Sequence, residues 1–452
     1  MRQLPEADRD AIRLAQDPQF PRLLEQIAAT GGCSRPVHLS GSTTIVDGTT
    51  GEILHHYDTR NEPGERLLIR CRNRRATVCP ACSRLHAGDT YHLVRAGLLG
   101  GKSVPDSVRH RPRLFVTLTA PSFGPVHRAS ELCRPRPDGG TCEHGHPLGC
   151  GLIHTPDSPS VGQPLCPDCY DYTAHVLWHA HASKLWDRFV IDVRRRLASS
   201  VGLVQSRFAQ HARLSFARVA EYQRLAAVHV HAVVRLDGPT GPDDEPPAWG
   251  TAELLIDAVR ASARRVLVHT PYSPAVGELR LRWGAQIDAR PLRTDGDGPD
   301  DDAVAAYVAK YVTKGASDTG AGTDYPLTAR GDIESAPVSE HVRALMRTCW
   351  RLGGLPEYAP LRLRAWGHTL GYRGHILTKS RAYSTTYAAL RAERARHQGH
   401  ADLPEQITER HWRYVGSGHT PGAALIAAGV AEDLVLAHEV AHEQARLLRG
   451  HT

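Results

Sequence analysis

Apolar residues recur along this chain with two different periods. Residues 226–237, A-A-V-H-V-H-A-V-V-R-L-D, are rich in β-branched side chains and run into Asp-Gly, a pattern that predicts a strand. Residues 213–221 predict the strand before it, joined through a three-residue loop at 223–225, and 279–290 predict another. Helical spacing runs over 174–197, which carries Trp178, Leu185, Trp186 and Phe189, and over 252–267, 338–351, 384–397 and 421–448. A helical start with Leu4, Ile12, Leu14 and Leu23 precedes them. Residues 300–315 open with three aspartates and close on glycine, which predicts one short capped helix. The elements do not alternate as regular βα units, so the fold class expected is α+β with a central antiparallel sheet flanked by helices. Three regions follow: 1–105, 106–320 and a mainly helical 321–452. Proline and glycine crowd 121–167, and about 124–172 reads as an insertion into the middle region.

Length and charge add a partner class. The 452 residues allow two or three domains, and 55 basic against 48 acidic side chains give +7, which suits a polyanion. Arginines cluster at 70–75, 109–113, 194–196 and 280–282. Residues 362–375 mix basic side chains with Trp366 and Tyr372, which suits single-stranded or hairpin DNA and equally a tightly turned connector with glycines for backbone geometry. Arg111, Arg113, Arg280, Arg282, Arg362 and Arg364 are the expected phosphate contacts. The run G-L-L-G-G-K-S at 97–103 has Ala96 where a phosphate-binding loop needs its leading glycine, so no ATPase is read here and a separate helicase is expected to unwind DNA.

Ten cysteines include two Cys-Pro-x-Cys turns, Cys79 with Cys82 and Cys166 with Cys169, each half of a tetrahedral zinc site. Cys33 and Cys71 are the expected partners of the first. Cys142 and Cys150 are chosen for the second from a field that includes Cys133, His144, His146 and His154, giving two structural Zn²⁺ ions. No apolar signal segment stands at the charged N-terminus, so a reducing cytoplasm is expected and disulfides are not. Cys349 reads as a core thiol.

Two further groups carry chemistry. His229 and His231 are two residues apart on the predicted strand and point to one face, where they can hold one divalent ion. Glu221 is the expected third ligand, one diagonal step from His229. Tyr307 and Tyr311 lie one helical turn apart on one face of 300–315, with Lys310 and Lys314 on the next. A phenol is a poor nucleophile at neutral pH, and a neighbouring cation favours the phenolate and can also bind a phosphate.

His229-Val230-His231 followed by Tyr307-x-x-Lys310, with L-F-V-T-L-T-A-P at 114–121 upstream, resembles the motif set of the HUH endonucleases. The doubled Y-x-x-K-Y-x-x-K resembles their two-tyrosine members. Residues 366–384 and 166–172 are similar to replication initiators of actinobacterial plasmids and integrative conjugative elements. The resemblance implies an HUH fold and a Mg²⁺ or Mn²⁺ ion on His229, His231 and Glu221, with Co²⁺ or Ni²⁺ also suited to two imidazoles. It implies nicking of one origin strand by Tyr307, or by Tyr311 in a later round, to give a 5′-phosphotyrosine and a free 3′-hydroxyl. Origin DNA, a host helicase and replication proteins are the implied partners. A conjugative relaxase, a transposase and a non-catalytic zinc-containing regulator are the alternatives.

Overall fold

The computed structural model describes residues 4–129, 132–136, 138–292, 301–314, 316, 320–397 and 406–449. Two compact units divide the chain: Met1–Asp89 with Tyr387–Thr452, and Thr90–Thr386.

The first unit contains helices α1 (Glu6–Ala15) and α2 (Phe20–Ala29), strands β1 (Val37–Asp47), β2 (Ile53–Asp58) and β3 (Leu67–Ile69), and the start of α3 (Pro80–Leu99). The second contains β4 (Arg113–Leu118), α4 (Tyr172–Ser200), β5 (Arg213–Tyr222), β6 (Val228–Asp237), α5 (Ala252–Arg265), β7 (Leu267–His269), β8 (Arg280–Arg282) and β9 (Ile287–Pro291). It continues through α6 (Asp301–Val312), α7 (Arg330–Ser335), α8 (Glu340–Leu352) and β10 (Leu377–Lys379). The chain then returns to the first unit with α9 (Tyr387–His397), β11 (Gln406–Ser417) and α10 (Pro421–Arg449).

In the second unit five antiparallel strands stand in the order β10-β5-β6-β4-β9, which makes β6 central. Even-numbered positions of the middle strands, Leu114, Val116, Leu118, Val230, Ala232 and Val234, bury one face with Trp178, Leu185 and Phe189 of α4 and Leu255 and Val259 of α5. Odd-numbered positions carry the polar chemistry on the other face, and α6 lies there. The mixed α+β class with antiparallel sheets is as expected from the sequence.

Three expectations change. The boundaries at 105 and 320 are not those of the units, because β11 pairs with β1 along its whole length, from Val37 opposite Ser417 to Asp47 opposite Gln406. The C-terminal region is therefore not simply helical. Residues 279–290 form two strands rather than one: Gly284 sits so close to β4 that a Cβ there would lie 2.4 Å from the Ala120 carbonyl, and its N–H donates to Thr119 O, so the chain turns between β8 and β9.

Candidate active site and metal-ligand groups

Strand pairing positions the site. Glu221 of β5 lies directly opposite His229 of β6, and Thr117 of β4 lies opposite His231. The connection between β5 and β6 spans residues 223–227, five residues instead of three, so it is His231 that Glu221 reaches diagonally. Oε2 of Glu221 is 2.9 Å from Nε2 of His231, and the Tyr307 hydroxyl is 3.2 Å from that nitrogen and 3.3 Å from that oxygen. On the far side of the ring, Thr117 Oγ1 is 3.0 Å from Nδ1. A hydroxyl both donates and accepts, so Thr117 satisfies Nδ1 in either tautomer and keeps Nε2 aimed at the carboxylate and the phenol. Phe115 stacks flat on His231 and meets Tyr307 edge-on, which fixes both rings. Thr117 and Phe115 are the residues sequence reasoning missed; alternate positions 115 and 117, facing away from the buried 114, 116 and 118, were the available signal.

The helix brings the second tyrosine along. The Tyr311 ring lies tilted 4.6 Å from that of Tyr307 and stacked 6.3 Å from that of His231, and Lys310 and Lys314 hold their ammonium groups 5.9 and 5.0 Å from the Tyr311 ring. Asp301 at the start of α6 pairs with Arg113 of β4, and Asp302 accepts from Tyr91 and Arg95 of α3. These anchors set the helix on the sheet. Burial first, and the Glu221 charge second, push the phenols of Tyr307 and Tyr311 above their ordinary value. Burial lowers the His229 imidazole to about 4, so it is neutral at physiological pH and able to ligate. His229 lines a cleft of about 640 Å³ together with Thr119, Phe123, Arg128, Arg134 and Gln286.

As a metal centre the set fits in its chemistry: a carboxylate and two imidazoles lie on one face of adjacent strands, one imidazole with a second partner at Nδ1. The closure is partial. Among the described residues, every group of three or more ligand atoms lying within 4.8 Å of one another contains a cysteine, so Glu221 and His231 are together while His229 stands wider.

The sequence profile of the replication initiators described as RepSA, "Replication initiator protein, pSAM2", matches residues 19–432. A protein of Streptomyces ambofaciens named "Replication initiator protein" is 46% identical over 453 residues, covering 97% of this chain and 95% of its own length. The chain belongs to the RepSA family of replication initiator proteins. No solved structure gives a significant match.

In this replication initiator the cysteines sort into more groups than expected. Cys33, Cys71, Cys79 and Cys82 converge as the sequence predicts. The sulfurs of Cys79 and Cys82 lie 3.8 and 3.6 Å from that of Cys33, far beyond a disulfide bond and close to the edge of about 3.8 Å of a tetrahedron with zinc–sulfur bonds. Backbone N–H groups of Ser34, Cys71 and Asn73 donate to these sulfurs, as thiolate ligands require. The second knuckle, Cys166 and Cys169, gathers Cys142 and His144, not Cys150. A tight turn in which Gly145 N–H donates to Cys142 O sets Cys142 and His144 side by side, while the Cys150 N–H pairs with Arg134 O and carries Cys150 away. Cys150 instead joins His127, Cys133 and His154. Cys349 is buried in the main core.

Two of the expected DNA contacts are misplaced. Arg111 and Arg113 have side chains 1% and 0% exposed, paired with Asp237 and Asp301, so they are structural ions in the sheet. Arg280, Arg282, Arg362 and Arg364 are exposed, Arg364 lying over the Trp350 ring. No helix among the described residues is long and apolar enough to cross a membrane.

Proposed function

We propose that this chain initiates rolling-circle replication of a plasmid or integrative element as an HUH endonuclease, nicking one strand of origin DNA with Tyr307. The single observation that carries the reading is the convergence of the Tyr307 hydroxyl with His231 Nε2 and Glu221 Oε2, from three different elements. Family membership supports the replication role, and the strand order with histidines on the central strand supports the HUH fold.

Tyr307 Oη attacks the scissile phosphorus while its proton passes to the adjacent Glu221 carboxylate. A phosphorus–oxygen bond to tyrosine forms and the bond to the 3′-oxygen breaks, leaving a 5′-phosphotyrosine and, after protonation, a free 3′-hydroxyl. A divalent ion of the Mg²⁺ or Mn²⁺ class, with His231, Glu221 and His229 as its ligands, would supply Lewis-acid polarisation of the phosphoryl oxygens. Thr117 orients His231, and Lys310 and Lys314 bring positive charge to Tyr311, the candidate for a second cleavage. Exposed Arg280, Arg282, Arg362 and Arg364 are the phosphate contacts of single-stranded or hairpin origin DNA, and unwinding beyond the nick falls to a host helicase.

The test is incubation with single-stranded oligonucleotides from the cognate origin in Mn²⁺, followed by denaturing electrophoresis and peptide mapping. An adduct on Tyr307, absent in Tyr307→Phe and lost with EDTA, is the expected result. Origin binding without linkage to either tyrosine overturns the reading in favour of a non-catalytic regulator.

A further inference from the structure

We infer that His127, Cys133, Cys150 and His154 hold a third structural zinc ion, and that this ion builds the wall of the cleft beside His229. Four ligand atoms from four short stretches meet here. Nδ1 of His127 lies 3.2 Å from Nε2 of His154 and 3.9 Å from Sγ of Cys133, and Sγ of Cys150 lies 3.3 Å from Nε2 of His154. With zinc–nitrogen and zinc–sulfur bonds of ordinary length, the edges of a Cys₂His₂ tetrahedron are about 3.3 Å between nitrogens and about 3.6 Å between nitrogen and sulfur. These three separations bracket those edges, all four ligand atoms lie within 4.8 Å of one another, and neither cysteine is in a disulfide.

The surroundings are those of a metal ligand set. Arg128 N–H donates to Cys133 Sγ at 3.2 Å, the backbone contact that stabilises a thiolate. Main-chain bonds Cys133 N to Leu152 O, Gly151 N to Cys133 O and Cys150 N to Arg134 O clip the two cysteine stretches into a ladder, and His127 is paired both ways with the stretch at Gly162 and Gln163. Burial is inverted relative to an apolar core. Cys133 is fully buried, whereas its neighbours Leu132, Leu152 and Ile153 are 47, 61 and 74% exposed. Hydrophobic burial therefore does not hold this segment together, and a bound ion does.

The location supplies the consequence. His127, Arg128 and Arg134 line the same cleft as His229 and Gln286. Arg134 holds a left-handed backbone, φ +40°, and its Nε donates to Val126 O, so its guanidinium is set by the ligand loop itself. With the ion in place, Arg128 and Arg134 present two cations to a strand lying in the cleft. That role in strand binding rests on the nicking reading; the zinc does not.

The experiment is elemental analysis of the purified full-length chain, together with its cobalt-substituted form. Three zinc ions per chain are expected, with Cys133→Ser/Cys150→Ser holding two and His154→Cys still holding three. In the cobalt form His154→Cys raises the thiolate-to-metal charge-transfer absorption, because one nitrogen ligand has become sulfur. The double variant should bind a single-stranded origin oligonucleotide about tenfold more weakly. Two zinc ions in the wild-type chain, or a cobalt spectrum unchanged by His154→Cys, overturns the site even where the double variant fails to fold. Three ions with unaltered oligonucleotide affinity in the double variant overturns the cleft role alone. Failure of adduct formation in the wild type leaves the metal count intact and falls on the nicking reading.

Discussion

The hydroxyl of Tyr307 stands 3.2 Å from Nε2 of His231, although 76 residues separate them in sequence. Everything else in the site serves that approach. Thr117 holds the far nitrogen of the imidazole, Phe115 lies parallel to the ring, and the paired aspartates at the start of α6 fix the helix from which the tyrosine reaches.

Thr117→Val removes the hydroxyl that stands 3.0 Å from His231 Nδ1 while keeping the side-chain volume. Nicking of an origin oligonucleotide should fall about 10- to 100-fold, as for loss of an outer partner of a ligand histidine, with oligonucleotide affinity unchanged. Single-turnover cleavage alongside a binding titration separates the two. A matching drop in affinity would show that Thr117 acts on DNA and not through the imidazole.

The arginines divide by burial. Arg113→Met removes the buried guanidinium that pairs with Asp301 and should destabilise the second unit by about 3–5 kcal/mol in urea unfolding. Arg280→Ala and Arg282→Ala should leave stability alone and each reduce the slope of log affinity against log salt by about one. A salt slope that is insensitive to both would remove β8 from the DNA contact.

Acid should weaken the fold through buried histidines. His179 accepts from Val228 N–H at Nε2 and lies 3.0 Å from Leu370 O at Nδ1, so the neutral ring with its proton on Nδ1 satisfies both, and burial lowers it to about 4. Above about pH 6.5 neither folded nor unfolded chain protonates it. Between about 6.5 and 4 only the unfolded chain takes the proton, so stability falls as pH falls, by on the order of 3 kcal/mol from this group. His179→Gln, which can still donate and accept, should flatten the decline in unfolding midpoints over that window; an unchanged slope would put the acid sensitivity elsewhere.

Cys79→Ser breaks the four-cysteine group of the first unit. One zinc per chain should be lost, and the 71–82 segment should become the first site of limited proteolysis. Retention of all the zinc would mean that this group is held together without metal.

Much of the site could be read from the chain because its chemistry is local. Two histidines at strand spacing and two tyrosines at helical spacing carry their orientation in the period itself, and Glu221 follows once the hairpin is recognised. The same logic explains the errors. Arg111 and Arg113 look like any basic cluster until Asp237 and Asp301, 126 and 188 residues away, are seen to neutralise them. Cys150 sits nearer the second knuckle in sequence than Cys142 does, and only the backbone pairing of Cys150 with Arg134 carries it away. Strand β11 escaped because its polar residues fall on both faces, which leaves no alternation for a period to detect.

The pairing of β1 with β11 also imposes a schedule. Residues 37–47 leave the ribosome long before residues 406–417 exist, and no local turn can substitute for a partner so distant. The first unit must therefore wait, its cysteine ligands already made, until residues 406–417 have been synthesised. A chain cut short between β10 and β11 would carry the whole five-stranded sheet of the second unit while β1 lacked its β11 partner, so the intact sheet of the first unit marks that synthesis has passed residue 417.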